Sequence, residues 1–256
     1  MYLLGTTTIQ KMYTDASDTV QSGNTHGTGN QGNNGQFSPY AEKPRAWAIV
    51  PDNVPVTVQL SVVYDLPFGK GKQFMNHGGL QDTILGGWQV TPLFHYDYGT
   101  PYSFYSSACN INGYMRQGCV PGIIPGQTVQ PHGRNGFNPA SGGTYFNVNA
   151  FESSSAFSAY GYTGTGKAVE SIYGPSYKNI DISFAKDTSI MEKAHFKFGA
   201  NFFNAINNHA LIASQGGNYG GPSVAFHTDV SNSNFGTWSG GVSNPRTIQF
   251  YGRLEF

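Results

Sequence analysis

Charge is what this sequence has least of. Only 11% of its 256 residues are Asp, Glu, Lys or Arg, with 14 basic and 14 acidic side chains and a formal net charge of zero. Ordinary soluble domains carry about 25%. A neutral chain without clustered basic residues lacks the electrostatic footprint of a nucleic-acid binder. Long apolar runs are missing too: no stretch of about 18 apolar residues occurs, which excludes a transmembrane helix. The opening MYLLGTTTIQKMY has no basic start, long apolar middle or small-residue cleavage site, so it does not read as a secretory signal. An export signal, if the protein works outside the cytoplasm, is expected upstream. Cysteine is scarce. Cys109 and Cys119 lie in a Gly/Asn/Pro-rich stretch with His132 the nearest histidine, too few ligands for a metal site. A local disulfide in an oxidising compartment is the preferred reading, with two unpaired thiols as the alternative. Closing so short a loop would contribute roughly 3 kcal/mol. No cofactor is implied.

Glycine and aromatic residues are abundant: 34 Gly, 18 Phe, 16 Tyr and 3 Trp. Such a composition suits an apolar band with aromatic girdles and polar loops, and also a soluble β-rich carbohydrate-binding module. Alternation separates the two. Side chains alternate across a strand with period two, and the closing stretch TIQFYGRLEF puts Ile248, Phe250, Leu254 and Phe256 on one face. Gln249, Tyr251, Arg253 and Glu255 fall on the other. Residues 54–67 place Val56, Val58, Leu60, Val62, Tyr64 and Leu66 opposite Thr57, Gln59, Ser61 and Asp65, with Val63 the exception. Residues 88–104 set Trp88, Val90, Phe94, Tyr96 and Tyr98 against Gln89, Thr91, His95 and Asp97. Residues 177–187 set Ile180, Ile182 and Phe184 against Asn179, Asp181 and Ser183, and a tight connection (TSIMEK) follows. Residues 194–206 set Phe196, Phe198, Ala200, Phe202 and Ile206 against His195, Lys197, Gly199 and Asn201. Residues 2–13 complete the set as a Thr-rich strand of weak alternation.

The expectation is thus about six strands in an all-β, antiparallel, up-and-down arrangement. Residues 14–45, 105–175 and 207–245 are long Gly/Asn/Ser-rich connections, the first read as mobile, the second as lacking periodicity. Residues 68–87 and TSIMEK are short. Long connections at one rim and short turns at the other are the plan of a transmembrane β-barrel, with long extracellular loops and short periplasmic turns. A soluble sandwich turns every 8–12 residues without such a bias. Hydrocarbon offers backbone groups no partners, so a spanning sheet must close. About six strands fall short of the eight of the smallest common barrels, so the chain is expected to be a partial barrel. Val56, Val58, Leu60, Val62, Phe94, Phe196 and Phe198 are then lipid-facing, and a soluble module would instead bury them against a second sheet.

Sites of chemistry are sparse. His95/Asp97 and His195/Lys197 lie on polar strand faces without a nucleophile, and lining a lumen is their default role. GKGK at 69–72 lacks the full phosphate-loop pattern, and GTGNQGNNG at 27–35 lacks the acidic repeat of calcium-binding nonapeptides. No enzymatic constellation emerges.

YDLPFGKGK (64–72) and LGGWQVTPLFHYDYGTPYSF (85–104) together resemble the C-terminal barrel region of TonB-dependent outer-membrane receptors. So do YGPSYKNIDISFAKD (173–187), FKFGANFFNAINNHAL (196–211) and NPRTIQFYGRLEF (244–256), in matching order. The nearest group is the large Oar-like type common in acidobacteria. The resemblance runs from about residue 40 onward. It implies a barrel of about 22 strands in a Gram-negative cell outer membrane, of which residues 1–256 form the C-terminal portion. The plug domain and N-terminal strands are absent from this chain. It further implies uptake of a bulky nutrient such as an oligosaccharide or iron chelate. The implied partners are outer-membrane lipid, TonB acting through the missing N-terminal part, and the barrel-assembly machinery. Phe250, Leu254 and Phe256 resemble the C-terminal signal which that machinery reads. Nucleic acid is not among the partners.

Overall fold

A computed structural model of the chain describes residues 1–14, 48–49, 53–69, 71–76, 79, 84–102, 104, 121, 123–152, 172–191, 194–212, 226–238 and 240–256. Cys109, Cys119 and the 27–35 segment lie outside the described residues, as does most of the 14–45 connection.

The β-prone, alternating stretches become strands because a pleated backbone lets branched and aromatic side chains pack on one face. Ten strands are described: β1 (Tyr2–Ile9), β2 (Tyr13–Thr14), β3 (Ala48–Ile49), β4 (Val56–Asp65), β5 (Trp88–Asp97), β6 (Tyr177–Met191), β7 (Ala194–Phe203), β8 (Leu211–Ile212), β9 (Gly241–Val242) and β10 (Thr247–Glu255). Six of them form one antiparallel sheet in the order β1-β4-β5-β6-β7-β10, so every long strand pairs with its neighbour along the chain. This is an up-and-down meander. The sheet is not closed: β1 and β10 each have one neighbour. The pairs β2–β3 and β8–β9 are two-residue ribbons within the first and last long connections.

The register joins the faces of successive strands. Leu60 pairs with Phe94, Phe94 with Ile180, Ile182 with Phe202, and Phe202 with Ile248. Directly opposed residues in an antiparallel pair point to the same side. One apolar face therefore runs across all six strands, backed by one polar face. Among the described residues the extensive strand-to-strand contacts are those between neighbours in this sheet, and the other two sheets are two-residue ribbons.

Two details depart from expectation. β6 does not end before a TSIMEK turn but continues to Met191, pairing Ser189 with His195 and Met191 with Ala194 across a register shift. Pro92 sits inside β5, paired with Ile182 on the β6 side. On the β4 side the ladder jumps from Ser61–Leu93 to Tyr64–Val90. A proline has no N–H to donate, so a break beside it is the physical outcome.

The buried core lies off the sheet. Tyr102, Phe104, Tyr145, Phe146, Phe151, Phe226 and Phe235 pack together with Ala150 and Ile172. These come from the connection between β5 and β6 and from that between β7 and β10. The 105–175 stretch is thus not a featureless loop where it is described. Residues 137–151 put Phe137, Tyr145, Phe146 and Phe151 into one aromatic mass, with 3-10 turns at Pro139–Ser141 and Val148–Ala150. The packing uses edge-to-face contacts such as Phe104–Phe146 (4.8 Å) and a stack of Tyr145 on Phe226 (4.1 Å). We call this unit the crown.

Candidate functional site

Three surfaces carry chemistry: the polar sheet face, the apolar sheet face and the crown above them.

The polar face is knitted by side-chain pairs both across and along the strands. Thr57 Oγ1 donates to Asp97 Oδ1 (2.7 Å), and His95 Nε2 lies 2.7 Å from Asp97 Oδ2. Gln89 donates to Asp65 (2.9 Å), and Ser183 to Asn201 (2.7 Å). Toward the short-turn end, Lys197 Nζ reaches Glu255 (2.9 Å) and Asp187 (3.8 Å), while Arg253 Nε meets Glu255 (3.1 Å). His195 Nδ1 stands 3.3 Å from the Asp187 carboxylate. The His95/Asp97 and His195/Lys197 pairs are therefore members of polar networks. No group of three potential metal ligands occurs among the described residues. The face offers many hydroxyl, amide and carboxylate groups to water or a polar solute.

On the other face the register aligns Val56, Val58, Leu60 and Val62 of β4 with Phe94 of β5 and with Phe196 and Phe198 of β7. Phe250 and Leu254 of β10 pair with Ala200 and Phe196 and join the same face. Phe250 is 78% exposed, and Phe256, just past β10, is 93% exposed. Aromatic contacts run along the surface instead of inward: Trp88 meets Phe198 edge-on at 5.5 Å, and Phe196 lies over Phe198 at 5.8 Å. Two lysines interrupt this face on β6, Lys178 opposite Tyr96 and Lys186 opposite Trp88 and Phe198. Lys186 is buried and donates to the carbonyls of Ile84 (3.2 Å) and Gly86.

Three of the motifs that carry the family resemblance, GTPYS, YGPS and FFNAINNH, lie at the joints between sheet and crown. In GTPYS, Gly99 has φ of 108° and sits against Gly174 of YGPS. Tyr102 N donates to Ile172 O, and Gly174 N to Thr100 O, crossing the two ends of one connection. In FFNAINNH, Asn204 and Asn207 take left-handed φ values near 50°, which asparagine tolerates. Asn204 N donates to Asp181 Oδ1 (2.8 Å), and its amide reaches the carbonyls of Asn208 and Asn244. Asn207 Oδ1 accepts from Arg246 N (2.9 Å). This knot locks the tops of β6, β7 and β10 together.

Beside the joints lies a cleft of about 530 Å³, lined by Arg134, Asn138, Ser176, Lys178, Asn208 and His209 among others. Sequence reasoning did not single out these residues. They are far apart in the chain, and only the crown's folding assembles them. The one available signal was the density of Phe and Tyr in 137–151.

An all-β meander with one apolar and one polar face and long connections gathered at one end is now in view. A family model described as outer membrane beta barrel domain matches residues 7–249. The chain belongs to that family. No curated protein and no solved structure matches it. An outer membrane beta barrel domain resides in the cell outer membrane. Barrel domains of this kind place side chains alternately toward lipid and lumen, the alternation that the register carries across six strands.

Proposed function

We propose that this barrel domain is the C-terminal wall segment of a TonB-dependent receptor that takes up a bulky nutrient, an oligosaccharide or iron chelate. The observation that carries the reading is the two-faced open sheet, two of whose long connections gather into one crown. The motifs quoted above supply the family-level argument. In this reading further strands pair with the free edges of β1 and β10, because an open ladder in hydrocarbon leaves backbone groups unsatisfied at several kcal/mol each. The crown end faces outside and the short turns face the periplasm. A plug domain outside this chain couples to TonB. The assembly machinery reads Phe250, Leu254 and Phe256, and the polar face lines the solute path.

The apolar face is assigned to lipid, and Lys178 and Lys186 support this. They bracket Ile180, Ile182 and Phe184 on β6. Eight residues at about 3.4 Å each span about 27 Å along the strand, and strand tilt reduces this to roughly 20 Å across the membrane. Lys178 is exposed and long enough to extend its charge to one interface, while Lys186 places its charge on the carbonyls of Ile84 and Gly86 in the turn at the other end.

Fractionation tests the reading. The protein is expected in the outer-membrane fraction, with a folded band that shifts on heating in detergent. Leu60→Arg or Phe198→Arg, near mid-bilayer, should cost about 2–4 kcal/mol and deplete that band. Recovery of folded, detergent-free Leu60→Arg protein in the soluble fraction would refute the assignment. Uptake of the nutrient should stop when TonB is deleted. Uptake that persists would leave a barrel but remove TonB.

A further inference from the structure

The cleft under the crown has an unusual charge. Among the described residues its lining includes Arg134, Lys178 and His209 and no Asp or Glu. In a chain with equal numbers of acidic and basic residues, a wall with only basic side chains is selective for anions. Arg134 adds an independent sign. Its guanidinium carbon lies 3.5 Å over the ring of Tyr98, which fixes it in place. Its Nη1 is buried without a hydrogen-bond partner among the described residues. Nη1 has no open surface of its own, so what Arg134 brings to the cleft wall is a positive charge held in a fixed place. Guanidinium geometry matches phosphate and carboxylate oxygens. Neutral donors surround it. Asn135 Oδ1 accepts from both the backbone and the hydroxyl of Ser176 (2.9 and 3.0 Å), which leaves its amide nitrogen to donate elsewhere. Asn138 Oδ1 accepts from Ala140 N and leaves its amide in the same state. Cations with amide donors around them suit a phosphate carried on a sugar.

The cleft's side in the sheet decides the source of that group. Lys178 stands on the apolar face, opposite Tyr96, and Tyr98, one residue past β5, extends the β4–β5 ladder by donating to Val56 O. The polar face carries His95 and Asp97 and looks the other way. A solute on the lumen path would meet the polar face. A molecule whose acyl chains lie along Phe94, Ile180 and Ile182 would bring its headgroup to Lys178 and Arg134. We propose that the cleft binds the phosphorylated sugar headgroup of a glycolipid in the outer leaflet. This rests on the membrane placement given above, not on TonB dependence or on the nutrient.

The test uses the full chain extracted from outer membranes in nonionic detergent, with binding read by native mass spectrometry. The probes are lipopolysaccharide, the same glycolipid after enzymatic dephosphorylation, and soluble glucose 6-phosphate. The wild-type chain should bind the phosphorylated lipid about tenfold more tightly than the dephosphorylated one, the effect of one or two charge-assisted contacts. Lys178→Gln with Arg134→Gln should abolish that preference. Lys178→Arg should retain it, as should Lys72→Gln, a control in the short turn after β4. Lys178 is exposed, so Lys178→Gln alone keeps the fold and should already weaken the preference. Equal binding of the two lipids, or a preference unchanged in the double variant, overturns the proposal. Glucose 6-phosphate binding as tightly as the lipid would make the occupant a free solute and overturn the lipid assignment. Recovery of the wild-type chain in the soluble fraction, seen before any probe is added, refutes the membrane placement itself and excludes a lipid occupant with it.

Discussion

Gly99 holds the first joint above β5. Its φ of 108° is reserved for glycine, and a Cβ there would lie 2.5 Å from the carbonyl oxygen of Gly174. Gly99→Ala should therefore destabilise the crown by about 1–3 kcal/mol from backbone conformation alone, with the clash in addition, measured as a lower urea midpoint for loop proteolysis. Nothing in the letters GTPYS announced that contact, because its partner lies some 75 residues downstream, a separation of the kind only folding reveals. Tyr145 and Tyr102 yield a second prediction at this scale. Burial pushes both phenols well above the usual 10.0, and for Tyr145 the nearby Arg134 and the Gln130 bond only partly offset it. Tyr145 also donates to Arg134 O and accepts from Gln130, each at 2.8 Å. Above about pH 10 the unfolded chain releases these protons and the folded crown keeps them, so stability falls as pH rises. Tyrosinate absorbance from this pair should appear only together with protease sensitivity of the loops. Phenols that titrate while the crown stays intact would contradict the burial.

At the scale of the element, β6 is the most informative strand. Its apolar face reads Lys178, Ile180, Ile182, Phe184, Lys186. Arginine placed singly at 180, 182 and 184 should cost most near 182, about 2–4 kcal/mol, and about 0–1 kcal/mol toward either interface. The same scan at 179, 181 and 183 should show no such peak, although Asp181 will respond separately because it holds Asn204 N. Folding yield into detergent measures both series. Alternation was legible for this strand and for β4, β5, β7 and β10, since a period of two needs no partner to be seen. Its upper boundary was legible; its lower one was not. The TSIMEK run looked like a turn, yet β6 continues through it because Thr188 and Ser189 pair with Phe196 and His195. The gap beside Pro92 was equally hidden, since one proline does not say which neighbour loses its hydrogen bonds.

Over the whole molecule, sheet and crown are two different kinds of structure. The sheet has little buried behind it, and the crown contains the buried aromatic residues. Phe226→Ala should cost the crown about 3–5 kcal/mol. The heat-shifted band of the membrane sheet should persist while the loops become cleavable. Loss of both together would mean the two are one cooperative unit. The meander and its long-short rhythm of connections were readable in advance because each follows from local composition. The crown was not, because its residues carry no period and its partners come from connections separated by two strands. The anion-selective cleft was hidden for the same reason, as its walls exist only where those connections meet.

The crown draws on both the β5–β6 and the β7–β10 connections, so the upper ends of four adjacent strands are fastened to one rigid mass. At their lower ends β6 and β7 share a short turn, and single ion pairs such as Lys197–Glu255 and Lys197–Asp187 join neighbours. Curvature is therefore dictated from the rim downward, as a hoop sets the bend of the staves it gathers, and the bore of any cylinder this arc completes inherits its width from those stacked rings.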